Sequence, residues 1–213
     1  MSDFIELVNR YSDQLIQAVI THLQYVLVSV AIGFVIALVL GILLSRARSI
    51  SGYVIPVLGI FQTIPGLVFI GVLFIYTGMK PITVIIALSI YAIFPILKNT
   101  YTGIVNVDPQ LIEAARGCGM NNIQILFKVE LPLAMNSIFT GLRMSTIYTV
   151  SWAVLAAMIG LGGLGEFVYR GIDTNNQDLI IMGAIPSAIL AVLLGFAIDF
   201  IQKLVVPRGM RGE

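Results

Sequence analysis

The sequence predicts an all-α, polytopic membrane protein of five transmembrane helices, and three observations carry that prediction. Of 213 residues, 58% are hydrophobic and 11% charged, with a mean hydropathy of +0.99, whereas a soluble domain carries about 25% charged residues. The apolar residues lie in five blocks, 23–44, 53–76, 82–97, 138–159 and 180–201, whose only charges are Arg143 and, near the end of the last block, Asp199. The blocks are continuously apolar, whereas barrel strands alternate apolar and polar residues over about ten positions. Helices satisfy their own backbone polar groups in lipid. Four blocks are 22 or 24 residues long, and roughly 20 residues of helix cross a bilayer. Block 82–97, with 16 residues, needs its flanks. A soluble enzyme domain is excluded, and so is a nucleic-acid binder, because a net charge of +1 offers no basic face.

Each element follows in order. Over residues 1–18, Phe4, Val8, Tyr11 and Leu15 recur at helical spacing and continue to Val19, with Asp3, Glu6, Arg10 and Asp13 mostly between them. This predicts an amphipathic helix on the outer surface ahead of the first span. A signal peptide would open on a basic segment instead. Residues 19–206 form the membrane domain, and 207–213 a cytoplasmic tail. Gly33, Ala37 and Gly41 on the first span, and Gly183, Ser187, Ala191 and Gly195 on the last, make small-residue stripes for close helix packing. Pro65-Gly66, Pro95 and Pro186 fall inside the second, third and fifth spans. Proline removes a helix hydrogen bond, so three kinked or broken spans suggest a cavity.

Charge sets the orientation. Nine Lys and Arg residues, among them Arg46, Arg48, Lys98, Arg116, Lys128 and Lys203, fall on one side of the five spans, against Arg10, Lys80 and Arg170 on the other. Positive residues favour the cytoplasm, which puts the N-terminus outside and the C-terminus inside. Cys118 is the only cysteine, and the lone His22 has no second His or Cys cluster to complete a metal site. Proton-coupled carriers use carboxylates or histidines at depth. The spans carry none, and Asp199 near the inner end is expected to pair with Lys203 one turn on. Residues 160–165 match G-x-G-x-x-G, but that pattern needs a preceding strand to bind a dinucleotide; here it follows a membrane helix and reads as an outer turn or gate. No P-loop Gly-Lys-Ser/Thr occurs. Energy for uphill transport must enter from outside the bilayer, and no catalytic constellation is present.

The segment 108–132 carries the sharpest signal. Asp108-Pro109 is a good helix start, Leu111, Ile112, Ala114 and Ala115 give an apolar side, and Gly117 and Gly119 end the helix. Asn121 or Asn122 then caps a short second helix with Ile123, Leu126, Phe127 and Val129, stopped by Pro132. So much apolar surface in a cytoplasmic loop implies a protein partner.

At these residues the sequence resembles the ABC importer permeases. Glu113-Ala114-Ala115, three residues, Gly119, nine residues, then Val129-Glu130-Leu131-Pro132 is similar to their EAA motif, with Val129 in place of Ile. The resemblance implies a type I importer fold like that of methionine permeases. It also implies that Glu113, Ala114, Ala115, Gly119, Leu131 and Pro132 couple the chain to an ATP-binding subunit. A narrower resemblance, to osmoprotectant permeases of the glycine betaine/carnitine/choline branch, rests on residues 61–67 and 94–103, on 145–148 with Trp152, and on 160–165. It implies two ATP-binding subunits, a second permease, identical or paralogous, and an external solute-binding protein. ATP stays on the partner, and this chain binds no cofactor. Tyr91, Phe94, Tyr148 and Trp152 offer aromatic faces that attract quaternary ammonium cations, and Gln62, Thr63 and Pro65 could line a route beside them. Core filling or interfacial anchoring is the competing use of every one of these residues. A permease for methionine or another small solute, and a stand-alone channel or secondary carrier, are the alternatives.

Overall fold

A computed structural model describes residues 2–207 and Gly209, with side chains described at Glu6 and from Asn9 onward. The expected anchors Phe4 and Val8 lie outside the described side chains, and the tail residues Arg208 and Arg211 outside the described residues. The described residues form nine α-helices: α1 Ser2–Arg46, α2 Arg48–Phe61, α3 Gly66–Thr77, α4 Pro81–Val105, α5 Pro109–Gly117, α6 Asn122–Ile125, α7 Leu131–Ala153, α8 Gly165–Asp173 and α9 Gln177–Val205. A π-helical turn, Leu126–Glu130, joins α6 to α7, and a 3-10 stretch, Val154–Ile159, extends α7.

The N-terminal amphipathic stretch is part of the same 45-residue helix as the first span, instead of a separate helix lying on the surface. The reason is in the sequence: no Gly or Pro occurs before Gly33, so nothing interrupts the hydrogen-bond ladder. Its described anchors are covered all the same. Tyr11, Leu15 and Val19 pack on a cluster of Ala18, Leu164, Phe167, Leu179 and Met182, and the Tyr11 and Phe167 rings meet edge to face at 6.2 Å.

α1, α4 and α7 form the centre, held at close range by glycines. A Cβ on Gly33 would lie 2.8 Å from Ala92 Cβ, one on Gly41 2.8 Å from Thr100 Cβ, and one on Gly141 2.7 Å from Asn99 Cβ. Gly183 of α9 approaches the Leu164 carbonyl equally closely, so both small-residue stripes serve packing within the chain. Leu27, Val35, Val39 and Leu43 of α1 and Val192, Leu193, Phe196 and Phe200 of α9 point outward, the arrangement of helices solvated by lipid. Asp199 meets Arg143 of α7 across the helix interface at 3.1 Å.

Four helical runs are long and apolar enough to cross a membrane: Asn9–Arg46, Pro81–Val105, Asn122–Ile159 and Gln177–Val205. Flanking residues extend the short third block to 25 residues. The second block bends where a break was expected: α2 and α3 meet at 88° across residues 62–65, and taken as one broken span they make the fifth crossing. Pro65 has no N–H and disfavours helical backbone at Ile64. Pro95 and Pro186, expected to break their spans too, lie inside unbroken helices. At Pro95 the ring deprives the Tyr91 carbonyl of its helical donor, and the Gln62 side chain supplies one at 2.9 Å.

Because Gly41 faces Thr100 without room for a side chain, Gly41→Leu is expected to destabilise the fold by about 1–3 kcal/mol. Thermal unfolding in detergent should show it as a lowered midpoint. Gly52→Ala, where a Cβ meets nothing within 4 Å, should leave the midpoint unchanged.

Candidate coupling and translocation sites

The segment between α4 and α7 is built by its caps. The Asp108 carboxylate accepts from the Gln110 N–H at 2.9 Å, and Pro109 takes the first helical position of α5. Gly119, at φ +80°, turns the chain out of the helix, and the Met120 N–H returns to the Ala115 carbonyl at 3.1 Å, as in a Schellman ending. Asn121 is the cap of α6, and it exchanges hydrogen bonds with Gln124 in a capping box, each at 2.9 Å. Pro132 does not stop the second helix as expected. The Leu131 N–H reaches back to Leu126 across the π turn, and Pro132 falls in the first turn of α7, where a missing N–H is tolerated.

Glu113, Ala114 and Gly119 are exposed, Ala115 is turned inward, and Leu131 and Pro132 are half-buried at the root of α7. Leu111, Ile123 (70% exposed) and Phe127 (62%) stand beside them, so the face combines a carboxylate, small residues and uncovered apolar side chains. Sequence reasoning passed over Glu130, an unspecified position of the motif. It is 4% exposed and both its oxygens accept from the Arg46 guanidinium at the end of α1, Oε1 at 3.0 Å. Beside this pair lies a cavity of about 250 Å³ lined by residues that include Arg48, Arg116, Glu113 and Glu130.

The candidate pathway residues divide into two sets. Gln62, Tyr91 and Trp152 come together around the bend. Gln62 Nε2 donates to the Tyr91 carbonyl at 2.9 Å and the Tyr91 hydroxyl donates to the Ile64 carbonyl at 2.7 Å. The Tyr91 ring stacks on Trp152 at 4.5 Å, with Phe69 edge-on at 5.4 Å. Gly66 receives the indole: a Cβ there would sit 1.8 Å from Trp152 Cζ3. Phe94, one turn along α4, borders a second cavity of about 120 Å³ with Leu58, Phe61 and Gln62. Thr63 and Pro65, within the bend, and Tyr148 of α7 have exposed side chains, with the Thr63 hydroxyl bonded to its own turn at Ile60. Tyr91 and Trp152 present their faces to each other, which makes them a tie across the bend, while the Lys98 ammonium lies over the Phe94 ring, 6.0 Å from its centre.

The glycine-rich turn is tethered, not loose. Gly160, Gly162 and Gly163 take φ of +73°, +75° and +86°. The Tyr25 hydroxyl donates to the Leu161 carbonyl at 3.0 Å. His22, fully buried, lies with Nε2 3.1 Å from the Val150 carbonyl, where α7 tightens into its 3-10 extension. No strand precedes the turn, so the dinucleotide reading has no structural support.

Residues 29–211 match the protein family described as binding-protein-dependent transport system inner membrane component. A carnitine transport permease of Listeria monocytogenes is 40% identical over 190 residues, covering 89% of this chain and 87% of that protein. A glycine betaine/carnitine/choline transport system permease of Bacillus subtilis is 38% identical over 191 residues, covering 90% and 88%. A choline transport system permease of the same organism is 35% identical over 211 residues, covering 99% and 97%. Among solved structures, a chain of the methionine ABC transporter in an inward-facing conformation aligns with a TM-score of 0.83 and 25% identity, over 93% of this chain and 99% of that one.

The fit of Trp152 against Gly66 gives a paired prediction. Gly66→Ala should lower both the unfolding midpoint and transport, since the indole cannot occupy its place, and Trp152→Leu in the same chain should recover the midpoint. A single Gly66→Ala protein with unchanged stability would contradict the packing.

Proposed function

The chain belongs to the family of binding-protein-dependent transport system inner membrane components, and on that premise we propose that it is the membrane-spanning permease of an ATP-driven importer for a quaternary ammonium osmoprotectant such as glycine betaine, carnitine or choline. The observation that carries the cargo is 35–40% identity along almost the whole chain to permeases named for those solutes. The methionine transporter shares the fold at lower identity and supplies the second reading, a permease for methionine.

In this reading the basic end of the bundle, with Arg46, Arg48 and α5, faces the cytoplasm, and the N-terminus faces outward. Glu113, Ala114 and Gly119 form the surface on which an ATP-binding subunit docks, one on this chain and one on a second permease. Ala115, Leu131 and Pro132 hold that surface on α7. The continuous run Asn122–Ile159 joins the docking segment to Trp152, so a push on α6 moves the indole that fastens α3 to α4. The bend at residues 62–65 then opens or closes as its tie shifts. Solute arrives from an external binding protein, and Phe94 with Phe61 offers aromatic faces along the route. ATP is hydrolysed on the partner, and this chain contributes no catalytic group and no cofactor.

Cells that lack their own osmoprotectant systems, expressing this chain with its neighbouring genes at high osmolarity, should take up labelled glycine betaine in an ATP-dependent way. Unlabelled carnitine or choline should suppress that uptake. Suppression by methionine alone would favour the second reading. Glu113→Arg and Gly119→Asp should each separate ATP hydrolysis from uptake while membrane insertion persists, and undiminished uptake in either would remove the docking assignment.

A further inference from the structure

Glu130 is the one buried carboxylate among the described residues, and its setting is unusual in three respects. It closes a π-helical turn, Leu126–Glu130, a rare conformation found chiefly at functional sites. An extra residue in one turn re-phases the helix by about 100°, and here the carboxylate comes to lie against α1. Both its oxygens then meet the planar guanidinium of Arg46, the two-point geometry that fixes orientation as well as distance. Arg46 is the last residue of α1, and one residue, Ala47, separates it from α2. The pair therefore joins the docking segment to the corner where the first helix ends and the bent second crossing begins.

We infer that the Arg46–Glu130 pair is a positioning element of energy coupling, which makes the corner of α1 and α2 follow the docking segment when it moves. The inference rests on the reading of residues 108–132 as that segment. The covalent route from the segment runs along α7 to Trp152. The ion pair adds a second route along α2 to Gln62, on the opposite side of the same bend. With both routes intact, the two sides of the tie move in register. With the pair broken, α7 moves while the start of α2 stays, and hydrolysis proceeds without the matching rearrangement. Glu113 and Arg116 line the cavity directly beside the pair, so the docking face lies against the tie with no intervening element.

The test uses the whole complex, with permease and ATP-binding subunit in lipid vesicles and receptor and glycine betaine supplied. Arg46→Gln, Glu130→Gln and the exchange Arg46→Glu with Glu130→Arg are compared with Glu113→Arg. Both single neutral variants should retain the ATP-binding subunit on purification and should hydrolyse ATP, while solute moved per ATP falls about tenfold. The exchange should recover at least half of the lost ratio, a rescue that a general loss of stability would not give. Ratios within twofold of the unaltered protein in the single variants would overturn the inference, as would an exchange that recovers nothing. Loss of the ATP-binding subunit in the single variants would overturn it too, by making the pair part of the docking face. Failure of the docking reading has a separate signature: Glu113→Arg would then keep both its partner and its uptake, whatever the pair does.

Discussion

Inside a bilayer no water is available to a backbone carbonyl that has lost its helical partner, and each such group left bare costs several kcal/mol. That constraint organises this fold. Pro95 releases the Tyr91 carbonyl, and Gln62 occupies it; residues 62–65 leave the helix, and the Tyr91 hydroxyl takes the Ile64 carbonyl. α7 tightens after Val150, and His22 reaches its carbonyl; the glycine turn leaves the Leu161 carbonyl outward, and Tyr25 donates to it. Each of these carbonyls is met by a polar side chain from another part of the fold. These repairs, together with the glycine contacts of α1, α4 and α7, decide which helices are neighbours. A membrane protein cannot rely on hydrophobic burial between helices for that purpose, since lipid is as apolar as leucine.

The same logic accounts for the difference between the two ends of the second crossing. α2 starts at the basic end, where Ser51 and Tyr101 share a hydrogen bond of 2.9 Å. α3 finishes where Thr77 and Thr83 share one of 2.6 Å. Between these anchored ends the bend is held by one amide, one phenol and one indole. Those groups come from α4, α7 and the bend itself.

Much of the architecture was legible in the sequence because lipid imposes length and apolarity together. The five blocks, the helix–glycine–helix of residues 108–132 and the small-residue stripes all depend on local pattern. The continuity of α1 was missed, because the alternation of charged and apolar residues in the first turns suggested a separate helix, although no Gly or Pro occurs before Gly33. The sharp bend was harder to see. Pro65-Gly66 marked its place, yet Pro95 and Pro186 gave the same local signal, and what distinguishes them is Trp152 arriving against Gly66 from 86 residues away. Glu130 was invisible for a related reason. Its neighbours in sequence explain nothing about it, and its partner sits at the far end of a loop, a span and a crossing. Of the candidate pathway residues, aromatic character alone could not separate Tyr91 and Trp152, which face each other, from Phe94, which borders a cavity.

The uninterrupted first helix has a mechanical consequence. At 45 residues and about 1.5 Å of rise per residue, it is a rod more than twice as long as the hydrocarbon layer is thick. It carries Arg46 at one tip and the cluster around Tyr11 and Phe167 near the other. With no glycine or proline in its first 31 residues after Met1, it has no hinge there to absorb a displacement. Any pivot near its middle swings the two tips in opposite senses, so a pull on one membrane face is delivered as a push on the other. The helix is in that sense a seesaw, able to carry a displacement at one tip to the other with no change in secondary structure between them.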